Sequence, residues 1–160
     1  MIELVDSLRD ELGAITAPTF KVSHCRTTVV PSDEDSQITF ANLKTKDMKC
    51  KRIDTCVLYV DIRESTQLNL DHRLDTIAKL YSFFGRAMTQ CGSHFGGQVR
   101  AITGDRVMVV FPPLNCFENA VHTAVLINSV SQFVMNEHFP YDNVRCGIGI
   151  DYGPMLVVRF

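Results

Sequence analysis

Two aspartates stand where a carboxylate can do chemistry. Asp61 directly follows the apolar run Cys56-Val57-Leu58-Tyr59-Val60, and Asp105 sits in Thr103-Gly104-Asp105-Arg106 between two further apolar runs. A lone Asp at such a place is commonly a solvated turn residue. A pair 44 residues apart, each at a strand end, invites another reading. If the strands pair, both carboxylates reach one edge of a sheet. Ionised carboxylates about 4 Å apart repel by several kcal/mol at an effective dielectric of about 20. A hard cation such as Mg²⁺ or Mn²⁺ relieves that repulsion and prefers oxygen donors of this kind. Two such ions can activate an attacking oxygen and neutralise a triphosphate during in-line displacement.

The neighbours of the two aspartates fit the same chemistry. Ile62 offers its backbone carbonyl. Arg63-Glu64-Ser65-Thr66 is a polar turn before a long helix, and its backbone N–H groups suit phosphate oxygens. Arg106 adds a cation with a donor fork. Tyr59, two residues before Asp61, places a ring or hydroxyl where a base could lie. The blander readings are a core aromatic for Tyr59 and a solvated hairpin charge for Arg106. His94 and His122 read as surface or satisfied core residues, and Asp151 as polar trim of a strand. Gly147-x-Gly149 lies within a strand pattern rather than before a helix, so it is no phosphate loop.

The elements that must position these residues are legible from periodicity. Residues 1–17 predict a short amphipathic helix with Ile2, Leu4, Val5, Leu8 and Leu12 on one face, ended by Pro18. Residues 19–52 read as less regular, with an acidic turn at Pro31-Ser32-Asp33-Glu34-Asp35 and a Lys-rich stretch from Lys44 to Arg52. Cys56 to Val60 predicts a strand covered on both faces. Leu74, Ile77, Ala78, Tyr81, Phe84, Met88, Cys91 and Phe95 recur at helical spacing over residues 71–95, and Gly96-Gly97 ends that helix. Val99–Ile102 and Val107–Phe111 predict a hairpin stopped by Pro112-Pro113. Asn115 is placed to cap a second helix whose stripe is Phe117, Ala120, Val121, Ala124, Ile127, Val130 and Val134. Val144–Ile150 predicts a strand, and Gly153 introduces another near Met155. Strand, helix, hairpin, helix, strand is an α+β order: a mainly antiparallel sheet with helices on one face. The division expected is an N-terminal helix and irregular leader over 1–52, then a domain over 53–160.

Bulk composition narrows the function. A chain of 160 residues with 46% hydrophobic content buries one core. A net charge of −2 with 16 Lys and Arg gives no basic face for nucleic acid. No apolar run reaches the roughly 20 residues that cross a bilayer, and the N-terminus is acidic where a secretory signal carries lysines. The expectation is a cytoplasmic protein without stable membrane insertion, its six scattered cysteines reduced. Cys91-Gly92-Ser93-His94 would be half a zinc site, but no second half follows.

Val60-Asp61-Ile62-Arg63-Glu64-Ser65-Thr66 resembles the first metal motif of the class III adenylyl and guanylyl cyclases. Gly96-Gly97 followed by Gly104-Asp105-Arg106-Val107-Met108-Val109-Val110-Phe111 resembles the second, and Arg145-Cys146-Gly147-Ile148-Gly149-Ile150 with Gly153 resembles the next strand. The resemblance covers about residues 54–160 in order. It implies a ferredoxin-like, palm-type domain in which Asp61 and Asp105, assisted by the Ile62 carbonyl, bind two divalent metal ions. It also implies a homodimer with shared active sites and a nucleoside triphosphate substrate held by Tyr59, Arg63, Ser65, Thr66, Ala101 and Arg106. The family's Asn and Arg that steady the transition state fall beyond Phe160, so the domain is expected to be truncated at its C-terminus.

One position departs from the purine enzymes. Three residues before the hairpin glycine they typically carry Lys or Glu to read adenine or guanine; here it is Ala101, which offers no side-chain hydrogen bond. With the sequences around Tyr59, Arg106 and Cys146–Gly153, this looks most like the pyrimidine cyclases of bacterial anti-phage (Pycsar) systems. That likeness implies cyclic UMP or cyclic CMP made from UTP or CTP as a signal to a separate cyclic-nucleotide-responsive effector. The alternatives are a purine (ATP or GTP) cyclase and a catalytically silent cyclase-like module for nucleotide binding or dimerisation. A diguanylate-cyclase-type palm domain would need a Gly-Gly-acidic hairpin, which Gly104-Asp105 does not supply.

Overall fold

A computed structural model describes residues 2–38 and 47–159. Of the Lys-rich stretch, residues 44–46 lie outside the described residues. The chain forms two compact units, Asp54–Gly153 and a second made of Met1–Ile53 with Pro154–Phe160.

In the larger unit the first apolar run belongs to β2 (Asp47–Ile62), followed by α2 (Ser65–Asp71) and α3 (Leu74–His94). The hairpin is β3 (Gln98–Thr103) and β4 (Arg106–Val110), turned at Gly104 with φ 59°. Then come α4 (Cys116–Val130), a π-helical turn over Ser131–Met135, the short α5 (Asn136–His138) and β5 (Cys146–Val157). β4 is antiparallel to both β2 and β3, and β5 also pairs with β2. The Arg63 N–H donates to the Arg145 carbonyl at 2.8 Å, tying the end of β2 to the start of β5. This is the α+β arrangement, with a mainly antiparallel sheet, that the sequence led us to expect.

The core follows from the apolar periodicities. Leu58, Val60, Val107, Val109 and Phe111 of the sheet segment pack with Leu80, Phe84 and Met88 of α3 and with Ala120 and Ile127 of α4. Burying side chains of this size contributes roughly 1.5–3 kcal/mol each, so the strands bearing the two aspartates are firmly anchored. α3 packs on β3 and β4, and α4 on α3. Glycine permits the closest approach at the end of α3. Gly96 adopts φ +77°, and a Cβ on Gly97 would lie 2.5 Å from the Gly92 carbonyl oxygen.

Several local expectations are corrected. Leu74 is 83% exposed; the buried face of α3 is Ile77, Leu80, Phe84, Met88, Cys91 and Gly92. On α4 the buried face is Cys116, Ala120, Thr123 and Ile127, so Phe117 and Val121 point outward. Asn115 precedes α4 in a left-handed conformation, φ 56°, without a side-chain cap hydrogen bond. The second helix also does not run uniformly to Val134. It widens into the π turn, where the Ser131 hydroxyl donates to the Val144 carbonyl at 3.2 Å and accepts from the Cys146 thiol. The two strands expected around Gly153 are one strand, β5.

In the smaller unit, α1 (Ile2–Thr16) matches the expected helix, and none of its residues is buried. Within the stretch 19–52 read as less regular, residues 21–26 and 47–52 form strands. β1 (Lys21–Arg26) pairs parallel with residues Asp47–Arg52 of β2, a local pattern too polar and exposed to show apolar alternation. Lys51 donates to Asp35 at 2.6 Å; this bond, the Gln37 N–H and nearby positive charge hold the Asp35 carboxyl below its ordinary value. Among the described residues, no helix is long and apolar enough to cross a membrane.

Candidate active site

Alternation along β2 sets up the site. Leu58, Val60 and Ile62 face the core, while Tyr59 and Asp61 share the opposite face, which opens to solvent. The expected covering of both faces therefore fails at Tyr59, which is 44% exposed. Cross-strand register aligns Asp61 with Arg106, and Tyr59 with Met108 and then Ala101 on β3. The Ala101 pairing depends on a register shift between Val99 and Ala101 in β3.

Asp61 Oδ2 and an Arg106 guanidinium nitrogen are 3.5 Å apart, with the side chains 38% and 60% exposed. Asp105 immediately precedes Arg106, and its carbonyl accepts from the Ile62 N–H at 3.3 Å. The two aspartates thus lie at adjoining ends of paired backbone. Asp61 and Asp105 are both half-buried residues, and the Asp61 carboxylate keeps 38% of its surface exposed. The Tyr59 hydroxyl lies 3.2 Å from the Met108 sulfur, so the face beside Asp61 is weakly polar.

A cleft of about 440 Å³ is lined by Tyr59, Asp61, Arg63, Arg106, Gly147, Ile148 and Gly149. Four of the residues singled out from sequence are therefore brought together. Ile62 turns its side chain into the core, leaving only its backbone for any ligand role. Ser65, Thr66, Ala101 and Asp105 do not line this cleft. The turn expected over Arg63–Thr66 is shorter than read, because α2 already begins at Ser65, after Glu64 at φ 57°. Glu64 itself pairs with Arg145 at 3.3 Å. Sequence reasoning missed Gly147, Ile148 and Gly149 as lining residues. Their signal was present: glycines inside a strand often mark close approach by another group.

The donors that the site offers a cation are carboxylate oxygens. Among the described residues, no three His, Cys, Asp or Glu side chains cluster as a closed cage. What exists is one carboxylate in the cleft and a second on the adjoining turn. Mg²⁺ and Mn²⁺ fit such a set, because Mg²⁺ in particular is usually held by one or two carboxylates with water and substrate phosphates completing the shell. A soft-metal site is excluded as the match for these oxygens.

No family model matches the chain. It is 30% identical to the uridylate cyclase of Burkholderia cepacia, over 98% of this chain and 67% of that protein. It is 28% identical to a photoactivated adenylate cyclase subunit alpha-like protein of Euglena gracilis, over 82% of this chain but only 13% of that protein. The crystal structure of the adenylyl cyclase CyaB from P. aeruginosa superposes with a TM-score of 0.66 at 20% identity, covering 70% of this chain and 62% of that one. With the fold and the paired strand ends, these likenesses place the chain in the class III nucleotidyl cyclases, within the catalytic domain.

Proposed function

We propose that the protein is a pyrimidine nucleotide cyclase that converts UTP or CTP to the 3′,5′-cyclic monophosphate and diphosphate. The observation that carries this reading is the row Tyr59, Met108 and Ala101 beside Asp61, which presents no charged side chain to a purine edge. A base-reading surface with no charged group, and whose one hydroxyl lies against the Met108 sulfur, gains little selectivity for adenine or guanine. The uridylate cyclase relative supports the same substrate class.

In this reading Asp61 and Asp105, with the Ile62 carbonyl, would hold two Mn²⁺ or Mg²⁺ ions. Bound there, the ions favour ionisation of the ribose 3′-hydroxyl and neutralise the triphosphate. The 3′-oxygen forms a bond to the α-phosphorus as the bond to the bridging oxygen breaks; the hydroxyl proton passes to solvent water and diphosphate leaves. Arg63 and Arg106, both in the cleft, pair with phosphate oxygens and orient the chain for in-line attack. Tyr59 lies against the base. Ser65 and Thr66, which open α2 outside the cleft lining, are left without a substrate contact in this reading.

The wider reading is a cytoplasmic homodimer with shared sites, whose cyclic product signals to a separate effector in anti-phage defence. ATP is the second substrate reading, favoured by the Euglena relative named as an adenylate cyclase. Incubating full-length protein with Mn²⁺ and each of UTP, CTP, ATP and GTP, then identifying products by mass, decides between them. Cyclic UMP or cyclic CMP as the main product supports the proposal. Preference for ATP overturns it.

A further inference from the structure

Gly147 of β5 is buried, and a methyl group built on it would lie 2.5 Å from Asp61 Oδ1, 2.7 Å from Arg63 Nε and 3.1 Å from Arg63 Cζ. Two residues on, Gly149 lines the same cleft, yet a methyl there meets nothing within 4 Å. Gly147 is not among the glycines at positive φ, so its backbone conformation is open to any residue. Space, rather than backbone conformation, is what a side chain here would disturb.

We propose that Gly147 is a positioning residue for Asp61: its absent side chain is the slot in which the Asp61 carboxylate and the Arg63 guanidinium lie against β5. The carboxylate is then fixed from two sides. Oδ2 faces Arg106 on β4 at 3.5 Å, and Oδ1 faces the bare backbone of β5. The atoms a methyl would strike are ends of rotatable side chains, not backbone. The strand therefore stays, and the carboxylate and guanidinium swing away. A shift of about 1 Å in such a group is enough to degrade a metal ligand and a phosphate clamp together. The inference rests on the cyclase reading for the identity of the ligand that Asp61 serves.

The experiment is Mn²⁺ binding to the full chain, followed by the electron paramagnetic resonance signal of free Mn²⁺, with thermal melting alongside. Gly147→Ala is expected to bind Mn²⁺ about tenfold or more weakly, the range seen when the support of a metal ligand is disturbed, while melting close to wild type. Gly153→Ala, farther along β5 and outside the cleft lining, where an added methyl meets nothing within 4 Å, is expected to keep the wild-type Mn²⁺ midpoint. Equal Mn²⁺ affinity in Gly147→Ala and wild type overturns the inference and leaves the cyclase reading standing. Failure of wild type to bind Mn²⁺ overturns both. If Gly147→Ala melts too low to titrate, the double variant Asp61→Ala with Gly147→Ala decides. Recovery of melting temperature supports a clash at the carboxylate, and a double variant as unstable as the single refutes it.

Discussion

Asp61 and Arg106 face each other across the β2–β4 ladder, with carboxylate oxygen and guanidinium nitrogen 3.5 Å apart at the mouth of the cleft. A pair this exposed contributes little to stability, about 0–1 kcal/mol. Its position in the cleft accounts better for it than its energy does.

Arg106→Ala is therefore expected to leave the melting temperature nearly unchanged and to raise KM for the triphosphate about tenfold, as one charge-assisted phosphate contact is lost. Arg106→Lys is expected to recover only part, because an ammonium lacks the planar fork. Steady-state kinetics with parallel melts check both.

Ala101→Lys places a cation in the row shared with Met108 and Tyr59. The expected outcome is a shift of at least about tenfold in the ratio of kcat/KM for ATP over UTP, since a new polar partner discriminates between bases. Competition assays with product separation measure it.

Gly97→Ala should destabilise the fold. The added Cβ would lie 2.5 Å from the Gly92 carbonyl oxygen, 2.5 Å from Val109 Cγ1 and 2.7 Å from Phe111 Cε1, all inside the core. Overpacking of this kind costs about 1–3 kcal/mol. Gly85→Ala, in the middle of α3 with nothing within 4 Å, is expected to stabilise by up to about 1 kcal/mol. Chemical denaturation of the two variants gives the comparison.

Burial, helped by the neighbouring Cys116, pushes the Cys56 thiol up from 9.0 to about 11. The folded state thus holds a proton that the unfolded state releases first. Its contribution to stability is complete below pH 9 and is lost as pH rises through about 11. Cys56→Ala should flatten that part of the stability profile, and at pH 8 an alkylating reagent should modify exposed Cys25 well before Cys56 or Cys91.

The sequence carried the architecture wherever burial was strong. The runs at Cys56–Val60 and Val107–Phe111 and the helical repeat from Ile77 to Cys91 are core segments, and each formed the element expected. Legibility failed where tertiary context decides. β1 is an exposed strand paired in parallel with β2, so Lys21–Arg26 shows no apolar alternation. Phe117 and Val121 are apolar yet outward, which periodicity cannot distinguish from inward. Within the site, Tyr59, Asp61, Arg63 and Arg106 were readable because each lies at or beside a strand end. Gly147 was not, since its importance lies in two side chains that reach it from residues 84 or more positions earlier.

The central claim is that Asp61 and Asp105 jointly hold the ions that drive cyclisation. The most direct measurement is cyclic nucleotide formation by full-length protein carrying Asp61→Asn or Asp105→Asn, at saturating Mn²⁺, with melts to confirm folding. Each substitution is predicted to lower the rate on the order of 10³-fold, the loss of several kcal/mol of metal-assisted stabilisation, while both variants remain folded. Cyclisation at near wild-type rate in either folded variant would contradict the account.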